Sequence, residues 1–264
     1  MSRSYNLYVL RFTAAVCVVC AVLVSASAVL LRERQLVNVE LDRRRNVLMA
    51  AGAIGSGEIV SREEIEQRFA SFEEVAVDLR TGEEDTSFDV AGYDARRVLA
   101  DPATSRPAPA NAANIQRVPN HVLVYKRLDQ AGRTELLVLP VVGQGLWATM
   151  YGFLALGSDM TTIRGLTYYE HGETPGLGAE VDSPRWQALW PGREAFDEYG
   201  RPVIEVVRGR AGSVDVDPHR VDGLAGATIT SNAVTSMLQF WLGDDGFGRY
   251  LERLTTIRGD GSDG

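Results

Sequence analysis

The sequence predicts an α+β protein: a single N-terminal transmembrane helix followed by a mixed, largely antiparallel sheet domain flanked by helices. Three observations carry this. Phe12 to Leu31 is a run of twenty residues without one charge, strand-like segments cluster in the middle of the chain, and helical patterns fall at its ends. Clustered strands with helices set apart are the mark of α+β rather than of alternating α/β.

Taken in order, the uncharged run is long enough, at about 1.5 Å rise per residue, to cross a hydrocarbon core. Arg3 and Arg11 precede it, and Arg32, Glu33 and Arg34 follow. Ala26-Ser27-Ala28 has the small-x-small form of a cleavage site, so a signal peptide is the competing reading. The apolar run, however, continues through Val29, Leu30 and Leu31, and a helical pattern follows through Leu36, Leu41 and Val47. The reading adopted is a retained anchor over 1–35, with the remaining domain over 36–264. Arg43, Arg44 and Arg45 balance the basic residues before the run, so charge alone sets no orientation. The two cysteines, Cys17 and Cys20, both lie inside the run, leaving the rest of the chain without a disulfide or a thiolate metal site.

Beyond the anchor, Ser61 and Glu64 have capping-box spacing, and Ile65, Phe69 and Phe72 give an apolar helical face. Val75, Val77 and Leu79 then alternate as a strand. Residues 82–120 are polar, carry Pro102, Pro107, Pro109 and Pro119, and read as a surface insertion with one short helix from Tyr93 to Ala100. His121–Leu128 and Glu135–Val142 are strands joined by the turn chemistry of Asp129 to Arg133. Further strands are expected over Trp147–Leu156, Thr162–Glu170 and Pro202–Val207, and helices over Ser231–Leu242 and Phe247–Thr255.

Composition excludes some activities. With a net charge of −8 the chain lacks the clustered Lys and Arg that phosphate-backbone binding needs, so no nucleic acid is expected as partner. Its three histidines show no ligand spacing, so no metal site is expected either.

Three segments carry chemistry. In DGLAGATITS, Asp222 to Ser231, Gly226 and Ala227 keep bulk away from the backbone before Thr228, and a helix follows. Backbone N–H groups and a helix N-terminus with about half a positive charge suit a phosphate there, with Thr230 and Ser231 able to cap the helix or bind the same anion. On spacing alone an ordinary capped helix after a Gly turn, burying Val234, Met237, Leu238 and Trp241, is the favoured reading. HGETPGLG, His171 to Gly178, must be a tight loop. Gly143-Gln144-Gly145-Leu146-Trp147-Ala148 formally matches G-x-G-x-x-A, with Glu170 downstream for a ribose. That fingerprint must open a helix, yet Trp147 to Leu156 has strand composition, so a dinucleotide site is not expected.

DGLAGAT resembles the covalent-flavin family pattern: Asp, Gly, a variable residue, Ser or Thr, then Gly-Ala-Thr. Asp222, Gly223, Leu224, Gly226 and Ala227 fall on it, Ala225 departs from it, and the residue that the family esterifies to the phosphate of FMN maps to Thr228. GQGLW, MYGFLAL, GLTYYEHGETPGLG and the pair Trp186 and Trp190 resemble C subunits of sodium-translocating NADH:quinone oxidoreductases, over roughly Leu36 to Leu254. The G subunit of the Rnf complex shares ETPGLG and Gly-Ala-Thr and is the nearest alternative; a free-standing extracytoplasmic flavoprotein and a non-enzymatic secreted binding domain are the others.

The resemblance implies an inner-membrane complex with partners A, B, D, E and F that oxidises NADH, reduces ubiquinone and exports sodium. It implies a periplasmic FMN domain in which Trp147, Glu173, Thr174, Pro175, Gly176, Leu177, Gly178 and Thr230 complete the cofactor site. An electron would arrive from an iron–sulfur centre and leave for the FMN of the B subunit, and the chain alone would not oxidise NADH. A threonine hydroxyl is a poor nucleophile without a positioned base. In keeping with that, the resemblance implies a separate flavin transferase using FAD and magnesium, which makes Thr228 a substrate residue and leaves no residue catalytic.

Overall fold

The computed structural model describes residues 3–55, 57–90 and 92–260. Met1, at which a retained anchor would start, lies outside them. The chain divides into two compact units, 1–43 and 44–264.

The first unit belongs to helix α1 (Arg3–Ala50). Within it Tyr5–Arg32 is long and apolar enough to cross a membrane, with none of its residues buried. Ala26, Ser27 and Ala28 are helical, and the Ser27 hydroxyl donates to the Leu23 carbonyl at 2.8 Å. Cys17 and Cys20 are exposed, unpaired thiols on the same helix.

The second unit is built on a six-stranded sheet. Its strands are β1 (Phe72–Asp78), β2 (Glu83–Glu84), β5 (His121–Leu128), β6 (Thr134–Gln144), β7 (Thr149–Gly157) and β8 (Ile163–Glu170), in the order β2-β1-β5-β6-β7-β8 with every neighbouring pair antiparallel. Local chemistry sets the hairpins. Asp129 accepts the N–H groups of Ala131 and Arg133 at 2.8 and 2.9 Å, which turns β5 into β6. Asp159 accepts those of Thr161 and Thr162 at 3.0 and 2.9 Å, which turns β7 into β8.

Helix α2 (Arg62–Phe69) begins with the expected capping box, the Ser61 and Glu64 side chains each accepting the other's backbone N–H. Phe69 then packs on Phe72 and Tyr125, each at 5.9 Å between centroids, and the aromatic row continues to Phe153 and Tyr169. The core is completed by α5 (Thr228–Leu242), which buries Val234, Met237, Leu238 and Trp241, and by α6 (Gly248–Asp260), which buries Tyr250 and Leu251. The Trp241 indole donates to the Val142 carbonyl at 2.7 Å and so fixes α5 against β6.

Segment 82–120 contains the edge strand β2, helix α3 (Ala95–Ala100) and the hairpin of β3 (Ser105–Pro107) with β4 (Arg117–Pro119). Ala113, Ile115 and Val118 from this segment are buried in the main core. The expected strand over Pro202–Val207 is shorter than its composition indicates. Pro202 forms an isolated antiparallel bridge with Phe196, and β9 (Glu205–Val206) pairs in parallel with β10 (Arg220–Val221), itself two residues long.

Candidate functional site

The loop before α5 is held from behind and open in front. The Leu224 N–H donates to the Ser231 hydroxyl, which donates in turn to the Ala227 carbonyl, each at 3.1 Å, and Ser231 is buried. Ala227 is the N-cap and offers no side-chain acceptor, so the first turn of α5 is uncapped. Ala225, Gly226, Thr228 and Ile229 are exposed, whereas Leu224, Ala227 and Thr230 are buried. Gly226 has φ +73°, a left-handed backbone that favours glycine, and a Cβ there would lie 2.9 Å from the terminal methyl Cδ2 of the exposed Leu177 side chain. Gly223 passes so close to β9 that a Cβ would lie 2.1 Å from the Val207 carbonyl oxygen.

Asp222 braces this loop through two contacts. Its carbonyl accepts the Trp186 indole N–H at 2.9 Å, and its carboxylate accepts the Ala211 N–H at 2.9 Å.

Glu173 joins the three sequence segments. Its Oε1 accepts the N–H groups of Leu146 and Trp147 at 2.8 and 3.3 Å, and its Oε2 accepts the Thr230 hydroxyl. It is buried, as a carboxylate can be when donors surround it. Gly145 and Gly178 make room for it, since a Cβ at either position would fall within 2.6 Å of a Glu173 oxygen. Both polar groups of the pair are therefore committed to holding GQGLW, ETPGLG and α5 together.

Beside this brace, Thr174 to Leu177 are exposed, with Pro175 leading into Gly176 at φ +73°. The Trp147 indole is 69% exposed yet anchored, donating to Thr174 Oγ1 at 3.2 Å, and Leu177 is 43% exposed. Exposed aromatic and aliphatic groups held in place are surfaces for a ligand or partner. His171 Nδ1 accepts the Glu173 N–H at 3.3 Å while Nε2 lies 3.2 Å from Asp182, so this histidine serves the turn.

GQGLWA turns β6 into β7. The Gly145 N–H donates to the Ala148 carbonyl and β7 starts at Thr149 in register with Gln144, so the glycines open a strand and not a helix.

One feature has no signal in the sequence. A cavity of about 540 Å³ beside Thr228 is lined also by Trp186, Leu189 and Asn232, and by Arg185, Arg208 and Arg210. The arginines come from α4 (Pro184–Gln187) and from the loop after β9, distant in sequence from Thr228, and only the tertiary fold gathers them.

Residues 145–243 match the family model of the FMN-binding domain. The chain is 42% identical to the C subunit of the Na(+)-translocating NADH-quinone reductase of Yersinia pestis over 242 residues, 90% of this chain and 89% of that one. It is also 42% identical to the protein of that name from Pseudomonas aeruginosa, over 90% of this chain and 92% of that one. Among solved structures, it superposes on Shewanella oneidensis NqrC with a TM-score of 0.72 at 36% identity, covering 81% of this chain and 96% of that one.

Proposed function

The chain belongs to the family of Na(+)-translocating NADH-quinone reductase C subunits, and from that premise we propose that it carries one FMN esterified through its phosphate to Thr228. The observation that carries this is the exposed Thr228 at the start of an uncapped helix inside an FMN-binding domain. Between Asp222 and Thr228 no other side chain bears a hydroxyl, so Ala225 leaves the loop with a single acceptor oxygen.

The residues present fit the group. Helix dipole and first-turn N–H groups suit a phosphate, and the anchored Trp147 with Leu177 offers apolar contact of the kind a flavin ring takes. Thr174 to Gly178 supply the loop edge. Glu173 and Thr230 hold that edge against the first turn of α5, a positioning role in which neither need touch the cofactor. The ester keeps the flavin at high local concentration through every turnover.

When bound, FMN supplies one-electron chemistry, which suits a relay between an iron–sulfur centre in neighbouring subunits and the FMN of the B subunit. The partners are the A, B, D, E and F subunits, with a flavin transferase required for maturation. The first helix anchors the chain in the inner membrane, with the FMN domain on the periplasmic side.

Intact-mass analysis of the chain extracted from membranes tests this, since one measurement reports both the N-terminus and the adduct. The expected mass is that of the full chain plus one FMN less water. An unmodified mass from the assembled complex would overturn the covalent reading.

A further inference from the structure

We propose that the arginine-lined cavity beside Thr228 is a binding site for a nucleoside phosphate, the nucleotide half of the flavin donor that leaves when Thr228 is esterified. This rests on Thr228 being the acceptor. Among the described residues Arg185, Arg208 and Arg210 form no ion pair and donate no hydrogen bond, although the chain as a whole is acidic. Most of its other arginines are spent on carboxylates or carbonyls, as Arg193 is on the carbonyls of Gly212 and Asp217. Glu180 and Asp222 also line the cavity, and Asp222 is already engaged with Ala211, so the lining is three positive charges against two negative.

A guanidinium fork matches phosphate oxygens in both geometry and charge. The mature ester is a phosphodiester with one negative charge, which the first turn of α5 already suits. Three unpaired arginines exceed that need. A dinucleotide brings a second phosphate, and its departing monophosphate carries about two negative charges near neutral pH. Trp186 and Leu189 give the same cavity an apolar wall for a base, and Asn232 adds a donor and an acceptor. Neither Trp147, Thr174 nor Leu177 lines it, so the surface proposed for the flavin ring remains separate.

The step balances on these groups. The Thr228 oxygen forms a bond to the flavin-bearing phosphorus, the bridging P–O bond breaks with its electron pair leaving on the nucleoside monophosphate, and the hydroxyl proton passes to a base of the transferase. The arginines neutralise the charge that develops on the departing phosphate.

The test uses the full-length chain produced without a transferase and compares it with Arg185→Gln/Arg208→Gln/Arg210→Gln. Arg62→Gln/Arg133→Gln/Arg201→Gln, at exposed sites elsewhere, removes equal charge as a control. AMP binding is measured by calorimetry at low and high salt. The attachment rate is measured by in-gel flavin fluorescence with purified transferase, FAD and magnesium. The cavity variant is expected to bind AMP at least about tenfold more weakly and to accept flavin correspondingly more slowly, the loss due when charge-assisted contacts are removed. It should still reach full occupancy, and the control should match wild type. AMP binding or attachment at the wild-type level in the cavity variant, or equal losses in the control, would overturn the proposal. Flavin retained by Thr228→Ala would instead overturn the acceptor assignment beneath it.

Discussion

Two threonines two residues apart have opposite circumstances, and that difference decides what substitution at each should do. Thr228 is exposed and, among the described residues, no neighbour claims its hydroxyl, so Thr228→Ala is expected to abolish covalent flavin while leaving stability within about 0.5 kcal/mol. Thr230 is fully buried and its hydroxyl is one of three donors to Glu173, so Thr230→Ala should cost about 1–3 kcal/mol, the penalty for a buried acceptor that loses a partner. Its flavin should remain. In-gel fluorescence and urea denaturation read the two effects separately, and loss of flavin from Thr230→Ala with retention in Thr228→Ala would reverse the assignment. Both segments were visible in the sequence as small-residue motifs, but the role of Glu173 was not. Its partners stand 26, 27 and 57 residues away, and no local pattern reports a buried carboxylate that ties two loops to a helix.

At the scale of elements, close backbone approach and turn chemistry govern how the sheet is held. Gly165 in β8 meets the end of α1, where a Cβ would stand 2.4 Å from the Ala50 carbonyl oxygen. Gly165→Ala should therefore push strand and helix apart and cost about 1–3 kcal/mol, an overpacking loss seen as a lower Tm. Gly132→Ala, at φ +76° with nothing nearby, should cost only the roughly 1–2 kcal/mol of left-handed backbone. At the β7–β8 turn, burial raises the Asp159 carboxyl, but hydrogen bonds from the Thr162 hydroxyl and from the N–H groups of Thr162 and Thr161, with the charge of Arg164, bring it below its ordinary value. A carboxyl lowered on folding contributes stability above its unfolded pKa of about 3.9 and loses it as pH falls further. Asp159→Asn should thus be most destabilising at pH 7, and its Tm deficit should shrink toward pH 3; a deficit independent of pH would show that the charge is not the cause. The hairpin of β5 and β6 was legible because its determinants lie within a few residues. The pairing of β9 with β10, the gathering of the three arginines and the burial of Ala113, Ile115 and Val118 were not, because each depends on a partner far along the chain.

At the scale of the whole molecule, the question is what the chain can do apart from its complex. The apolar helix passes without a break through Ala26, Ser27 and Ala28, so N-terminal sequencing of membrane-extracted protein is expected to begin at or near Met1, and a start at Val29 would remove the anchor. The isolated, flavin-loaded chain is expected not to be reduced by NADH at a useful rate. Hydride transfer needs the nicotinamide held in near-attack geometry against the flavin, which a dinucleotide fold achieves by binding the pyrophosphate at a helix N-terminus. Here the G-x-G-x-x-A string is a hairpin between β6 and β7, with strand on both sides and no helix to receive a pyrophosphate. The arginine cavity would not replace that site: contact with one phosphate would leave the nicotinamide unplaced, and under the proposed linkage its Thr228 wall would carry the ester. The flavin should therefore bleach with a small chemical reductant yet stay oxidised in anaerobic NADH. Rapid, saturable bleaching by NADH alone would mean that the chain holds its own dehydrogenase site and is not a relay fed by its neighbours.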